Sequence, residues 1–270
     1  MVTDVRCIVR GGGDLATGVV WRLHRSGTDV VVTELAEPLT IRRTVALSSA
    51  VRDGVIVVEG LVGRRCDPDG VEDVLSAGEV PVLVAPVLDD LVRRLAADVV
   101  VDARLAKRPL DTRATDADLV VGLGPGLVAG RDCHAVVETN RGHRLGRVIW
   151  EGEAERDTGI PGVVAGRGAE RVLRAPADGR VEWTVDIGDT VDAGHVLGSV
   201  RDTSAAAQVV SPFRGIVRGL IAPGTGVRTG LKIADVDPRR DPAACHEISD
   251  KALAVGGGVL EAVGRWRSGR

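Results

Sequence analysis

Residues 5–34 read VRCIVRGGGDLATGVVWRLHRSGTDVVVTE, and the order of chemistry along this stretch decides the fold class. An apolar run at 5–9 suits a strand. Gly11-Gly12-Gly13 suits a turn, residues 15–26 a helix capped at its end by Gly27, and residues 30–34 a second strand. The strand-like runs are nearly continuous Val and Ile without polar alternation, the pattern of strands covered on both faces, as in a parallel sheet. Working outward, similar runs recur at 55–59, 80–85, 99–102, 119–122 and 135–139, with 71–77 and 88–97 as covering helices. The expectation is an α/β fold, a Rossmann-like parallel-sheet domain over residues 1–165.

Residues 170–238 change character, to short strands and Gly/Pro turns. Pro176, Gly179, Val181, Val185, Gly188, Val191, Gly194, Leu197 and Val200 recur 36 positions later as Pro212, Gly215, Val217, Ile221, Gly224, Val227, Gly230, Ile233 and Val236. This is an internal repeat. Its half-pattern resembles biotinyl and lipoyl domains, which predicts a small all-β barrel-sandwich hybrid. The segment joining the halves, 201–208, contains no lysine, so a swinging-arm carrier is not expected. Residues 239–270 are expected to form a C-terminal helical segment interrupted by a turn at Gly256-Gly257-Gly258, since three interior glycines cost a helix about 1 kcal/mol each.

Composition narrows the function classes. The 270 residues carry a formal net charge of −3 and 2% aromatics, which argues against nucleic-acid or anionic-membrane binding. Only Lys107, Lys232 and Lys251 are lysine among 35 basic residues, so an arginine is weak evidence here and a lysine stronger. Cys7, Cys66, Cys133 and Cys245 lie far apart. They read as reduced thiols rather than a metal or disulfide framework, and no metal site is expected. No secretion signal or bilayer-spanning stretch is visible, so the expected location is cytoplasmic.

The strongest local motif is Gly11, Gly12, Gly13 and Asp14, within a GxGxxA pattern after a strand, with Glu34 placed where a ribose-binding acid would sit. It reads equally as a nucleotide or pterin-diphosphate loop and as a tight turn without ligand. Gly124 and Gly126 form a second loop after a strand, again a ligand loop or a plain turn. Glu138, Arg141 and His143 bring an acid, a phosphate-gripping donor and a group titrating near neutrality together, or else Arg141 and Glu138 simply pair. Weaker candidates for substrate or phosphate contact are Asp102, Arg104 and Lys107 after the strand at 99–102, Lys232, and Asp250 with Lys251. Asp235 and Asp237 face one side of a strand. Two carboxylates make an incomplete cation site, and the favoured reading is a structural salt-bridge cluster with Lys232 and Arg239. No catalytic nucleophile or general base is identifiable.

Taken together, the phrases RGGGDLATG (10–18), DARLAKR (102–108), GLGPGLVAG (122–130), ETNRGHRLGRVIWEG (138–152), ERVLRAPADG (170–179), KIADVDPR (232–239) and ISDKALAVGGGVLEAV (248–263) resemble the YqeB-like family. The resemblance implies an accessory protein of selenium-dependent molybdenum hydroxylase systems. Such a maturation factor would hold molybdenum cofactor (pterin) or NAD(P) at the glycine loops and dock a molybdenum hydroxylase client protein. Asp157, before Thr158-Gly159-Ile160-Pro161, stands where that family leads one to expect Asn. The alternatives are an NAD(P)-dependent oxidoreductase and a non-enzymatic interaction scaffold.

Overall fold

The structure is a computed structural model and describes residues 5–88, 90–157, 159, 165–202 and 206–269. It divides into two units that interleave along the chain. Unit 1 comprises 1–38, 46–158 and 248–270, and unit 2 comprises 39–45 and 159–247.

Unit 1 runs β1 (Arg6–Arg10), α1 (Asp14–Arg25), β2 (Asp29–Glu34), α2 (Ala50–Asp53), β3 (Val55–Val58), β4 (Leu61–Arg65), α3 (Val71–Ser76), β5 (Val80–Val84), α4 (Leu91–Arg94), β6 (Val99–Asp102), β7 (Leu119–Leu123), β8 (Val128–Ala129), β9 (Ala135–Val137), β10 (Val148–Ile149) and β11 (Gly152–Glu153). Nine strands form one sheet in the order β10-β9-β7-β6-β1-β2-β5-β4-β3, and β8 pairs with β11 separately. Alternate residues of the strands enter two different cores. Cys7, Val9, Val30 and Val32 face one, and Ile8, Val31, Leu83 and Val100 the other. This period-2 division on a sheet buried on both sides explains the unbroken Val/Ile runs.

The expected parallel sheet is corrected to a mixed one, and the Rossmann-like assignment is not retained. Strand β10 runs antiparallel to β9, and β3 antiparallel to β4. Apolar runs report burial rather than strand direction, and direction is set by the connections. Strands β3 and β4 are joined by Glu59 and Gly60 alone, both at positive φ, the two-residue turn that suits a hairpin. Strand β4, LVGRR, ends in two exposed arginines, so a search for apolar runs passes over it.

Unit 2 contains β12 (Val172–Arg174), β13 (Gly179–Trp183), β14 (Thr190–Val191), β15 (Val196–Arg201), β16 (Ala206–Val210), β17 (Gly215–Leu220), β18 (Gly226–Val227) and β19 (Lys232–Asp237). Each of β17, β18 and β19 begins 36 residues after β13, β14 and β15, the offset of the sequence repeat. The expected barrel-sandwich hybrid is corrected to two antiparallel four-stranded sheets, β12-β19-β17-β14 and β16-β15-β13-β18. A repeat reports that two halves are alike; it does not report how their strands join. Short β14 pairs with β17 of the second half, and short β18 with β13 of the first.

The last element, α5 (Asp250–Ser268), returns to unit 1. Ser249 caps it by accepting from the Ala252 N–H at 3.1 Å. The expected turn at 256–258 is absent, and the helix runs unbroken through the three glycines. Close backbone packing outweighs their low propensity. A Cβ on Gly18 of α1 would lie 2.5 Å from the Ala252 carbonyl oxygen, and one on Gly256 would strike the Gly18 carbonyl. A Cβ on Gly258 would strike the carbonyl of Gly146. Two helices approach so closely only where side chains are missing, and Val255, Val259, Ala262 and Val263 then join the core beside Val19 and Leu23.

Candidate functional site at the carboxyl edge of the nine-stranded sheet

Strand β1 sits between β2 and β6, the point where the strand order reverses. In open α/β sheets this is where ligand crevices form, outside the carboxyl ends of the strands. Its last residue, Arg10, is the register partner of Asp102, the last residue of β6. The Arg10 side chain is only 2% exposed. Its guanidinium donates to Thr112 Oγ1 at 2.8 Å and to the Asp111 carboxylate at 2.8 Å. Arg104 binds Asp111 as well and adds Asp102, with its Nη2 2.6 Å from Asp102 and its Nη1 2.7 Å from Asp111. Thr112 closes the set by donating to Asp102 at 2.6 Å.

The two acids differ in setting. Asp102 is buried. Burial pushes its carboxyl up, but hydrogen bonds from Arg104 and Thr112 and the Arg104 charge outweigh this and hold it below the ordinary carboxylate range. Asp111 is 45% exposed. The Arg10 hydrogen bond, working with Arg104 against a desolvation effect, lowers it to about 2. Backbone strain gathers just beyond. Leu105 and Lys107 adopt left-handed conformations, φ 54° and 61°, which non-glycine residues seldom adopt. Lys107 is exposed and pairs with Asp157 at 2.7 Å. Thr158 and residues 160–164, which include Ile160 and Pro161, lie outside the described residues.

The glycine loops are filled by the chain itself. Gly11 has φ 92°, and its N–H donates to the Thr33 carbonyl. The Gly12 N–H donates to Glu34 at 2.8 Å, and the Gly12 carbonyl accepts from the Ser48 N–H at 2.8 Å. A Cβ on Gly12 would sit 2.8 Å from the Ser48 nitrogen. Glu34 is thus committed to Gly12 and the Leu35 N–H. Gly13 precedes α1, which Asp14 opens. Gly124, φ 68°, packs on Thr139, and Gly126, φ 118°, packs on Lys107 and Arg108, where a Cβ would lie 2.5 Å from the Arg108 nitrogen.

The remaining candidates fall into separate places. Glu138 is buried, and its carboxylate accepts from the N–H groups of Asn140 and Glu155 at 2.6 and 2.7 Å, which ties two loops together. Arg141 does not pair with it. Arg141 binds Asp250 at the start of α5 bidentately, at 2.7 and 2.9 Å, in the open. His143 is exposed on the same loop, and Lys251 follows Asp250 in α5. Lys232 is exposed at the start of β19 in unit 2. Arg239 takes the place expected in the Asp237 pair, with its Nη2 at 2.6 Å. Arg10, Asp111 and Thr112 carry no sequence signal beyond an arginine interrupting an apolar strand at its last position. Among the described residues, no group of three or more His, Cys, Asp or Glu could hold a metal ion, and no helix is long and apolar enough to cross a membrane.

No family model matches the chain. Over 257 residues it is 45% identical to the uncharacterized protein YqeB of Escherichia coli K12, a match covering 95% of this chain and 47% of that protein. The similarity to YqeB therefore extends through both units, while the chain spans about half the length of the curated relative it matches. Solved structures similar to it include a succinylglutamate desuccinylase/aspartoacylase from Rhodobacter sphaeroides (19% identity, 87% of this chain and 85% of that one, TM-score 0.27). Another is an aspartoacylase family protein from Mesorhizobium loti (12% identity, 86% and 84%, TM-score 0.27). A third is the ectoine utilization protein EutE (DoeB) of Ruegeria pomeroyi (13% identity, 87% and 86%, TM-score 0.27). At these scores the likenesses carry no activity over to this chain. The loop that both cofactor-dependent readings required is closed over Ser48, with its acid already bonded to Gly12. The maturation-factor expectation and the NAD(P)-dependent oxidoreductase alternative are corrected accordingly.

Proposed function

We propose that unit 1 binds a small organic acid or phosphate-bearing metabolite at the β1–β6 crossover, its anionic group replacing Asp111 between Arg10 and Arg104. The observation that carries this reading is Asp111 itself, a half-exposed carboxylate gripped by one buried and one mostly buried guanidinium. Paired guanidiniums are the preferred receptor for a carboxylate or phosphate group. Asp102 and Thr112 hold the arginines in place whether or not Asp111 is seated. With Asp111 withdrawn, two guanidiniums face the single carboxylate of Asp102, and one ligand charge restores neutrality. Lys107, exposed at the rim, is the next cation a ligand would meet, and the strained backbone at 105–107 supports a functional role for this loop. The cytoplasm is the compartment we assign, supported by four free thiols, of which Cys133 is pushed by burial up to about 11.

Calorimetric titration of the full chain with succinate and with inorganic phosphate tests the reading. Asp111→Asn is expected to tighten binding of at least one probe by tenfold or more, because it removes the internal competitor. Arg104→Gln is expected to abolish it. A folded Asp111→Asn protein that binds neither probe overturns the proposal.

A further inference from the structure

The two halves of the unit 2 repeat differ in the charges they carry. Positions Glu182 and Arg201 of the first half correspond, at the 36-residue offset, to Arg218 and Asp237 of the second. The charges are exchanged, and so is the environment. The Glu182–Arg201 pair is exposed, at 60% and 57%, whereas Arg218 and Asp237 side chains are 11% and 6% exposed. The surroundings of Arg218 are specific to the second half. The register between β17 and β19 slips after Val217, whose partner is Val236, and resumes at Gly219, whose partner is Asp235. Arg218 is the extra residue of this bulge, a device that re-aims a side chain.

Arg218 is poorly served where it points. Its Nη1 lies 3.3 Å from Asp237, but Arg239 already engages both oxygens of that carboxylate, at 3.0 and 2.6 Å. The other nearby acid, Asp235, is 3.4 Å from Arg171, and burial raises its carboxyl, which weakens it as a counter-charge. Among the described residues, the buried Nε of Arg218 has no hydrogen-bond acceptor, a costly condition for a charged donor. Burial, then the charge of Arg42, depresses the Arg218 guanidinium, and the two aspartates do not compensate. Arg42 is itself buried and donates to the carbonyls of Ala244 and Glu247 at 3.0 and 3.3 Å.

We propose that unit 2 contains an oxyanion site of the phosphate class, in which the bulged Arg218 supplies the central donor and Arg42 and Arg239 flank it. Three guanidiniums drawn from three chain segments offer more donors than the two oxygens of a carboxylate can accept, while a phosphate or sulfate group has oxygens for all of them. The oxyanion accepts the idle Nε–H of Arg218 and supplies the negative charge that Asp237 alone divides between two arginines. The first half places Glu182, paired with Arg201, where the second half has Arg218.

The test is thermal unfolding of the full chain against inorganic phosphate at constant ionic strength, with 31P line broadening as a second readout. The wild-type midpoint is expected to rise saturably with phosphate, and Arg218→Gln is expected to lose that rise and the broadening. Arg239→Gln, at a half-exposed residue, is the variant least exposed to folding failure and is expected to weaken the response at least threefold. Glu182→Gln, at the equivalent place in the other half, is expected to keep it. A wild-type chain that responds to phosphate no more than to chloride overturns the proposal. So does a response that survives in Arg218→Gln and disappears in Arg104→Gln, since that response belongs to unit 1.

Discussion

The chain contains the triplet Gly-Gly-Gly twice, at 11–13 and at 256–258, and the two occurrences adopt opposite conformations. The first opens a loop after β1, with φ 92° at Gly11. The second lies in the middle of a nineteen-residue helix. What they share is a neighbour's backbone in the space a side chain would fill: the Ser48 nitrogen beside Gly12, the Gly18 carbonyl beside Gly256. A glycine run marks close approach, and only the surrounding fold decides whether the approaching group is a ligand or the chain itself.

The comparison breaks most easily at the helix. Gly256→Val sets a branched side chain against the Gly18 carbonyl and the Arg22 side chain. It is expected to cost at least about 3 kcal/mol in urea unfolding, at the upper end for overpacked positions. Gly12→Ala is next, at about 1–3 kcal/mol, because the Ser48 backbone has to shift. An unchanged urea midpoint in Gly12→Ala would mean that the loop stands open, and the parallel between the triplets would fail. A smaller effect lies on Arg10, which leads into the first triplet. Asp111 titrates at about 2 when folded and near 4 when unfolded. Its contribution is therefore present above pH 4 and lost as pH falls toward 2. Solvent screening of a half-exposed acid keeps it below about 1 kcal/mol, measurable as an acid-limb difference between wild type and Asp111→Asn. The smallest effect sharpens the comparison from the other side. Beyond the helix's own backbone, no described atom lies within 4 Å of a Cβ on Gly257, so Gly257→Ala is expected to raise stability by about 0.5–1 kcal/mol.

These positions also show what can be read in the sequence. The β1–α1–β2 segment is legible within a residue or two at each end, because its apolar spacing and Gly27 cap are local signals. Strand direction at the sheet edges is not, since Val55–Val58 has the same composition whichever way it pairs. The course of α5 is hidden because intrinsic propensity speaks against Gly256–Gly258, and only the partner helix, more than two hundred residues distant in sequence, overcomes that preference. At the candidate site, Asp102 and Arg104 are visible as charges at and just beyond the end of a strand. Arg10 and Arg218 are not, because in a chain this rich in arginine the buried ones look like all the rest, and burial is set by tertiary neighbours.

The exchanged strands of unit 2 bear on how such a unit could arise. Strand β14 belongs by sequence to the first half and by hydrogen bonding to the sheet of the second, and β18 is its mirror case. A half made alone would lack both edges of its sheet, since β12 and β14 flank β19-β17 and β16 and β18 flank β15-β13, and the partner able to supply them is another copy of the same half. An ancestor of one repeat length would thus have been an intertwined homodimer, of the kind domain swapping yields. Duplication and fusion of its gene would have turned a concentration-dependent association into an intramolecular one. That change frees each half to diverge, as Arg218 and Glu182 have done.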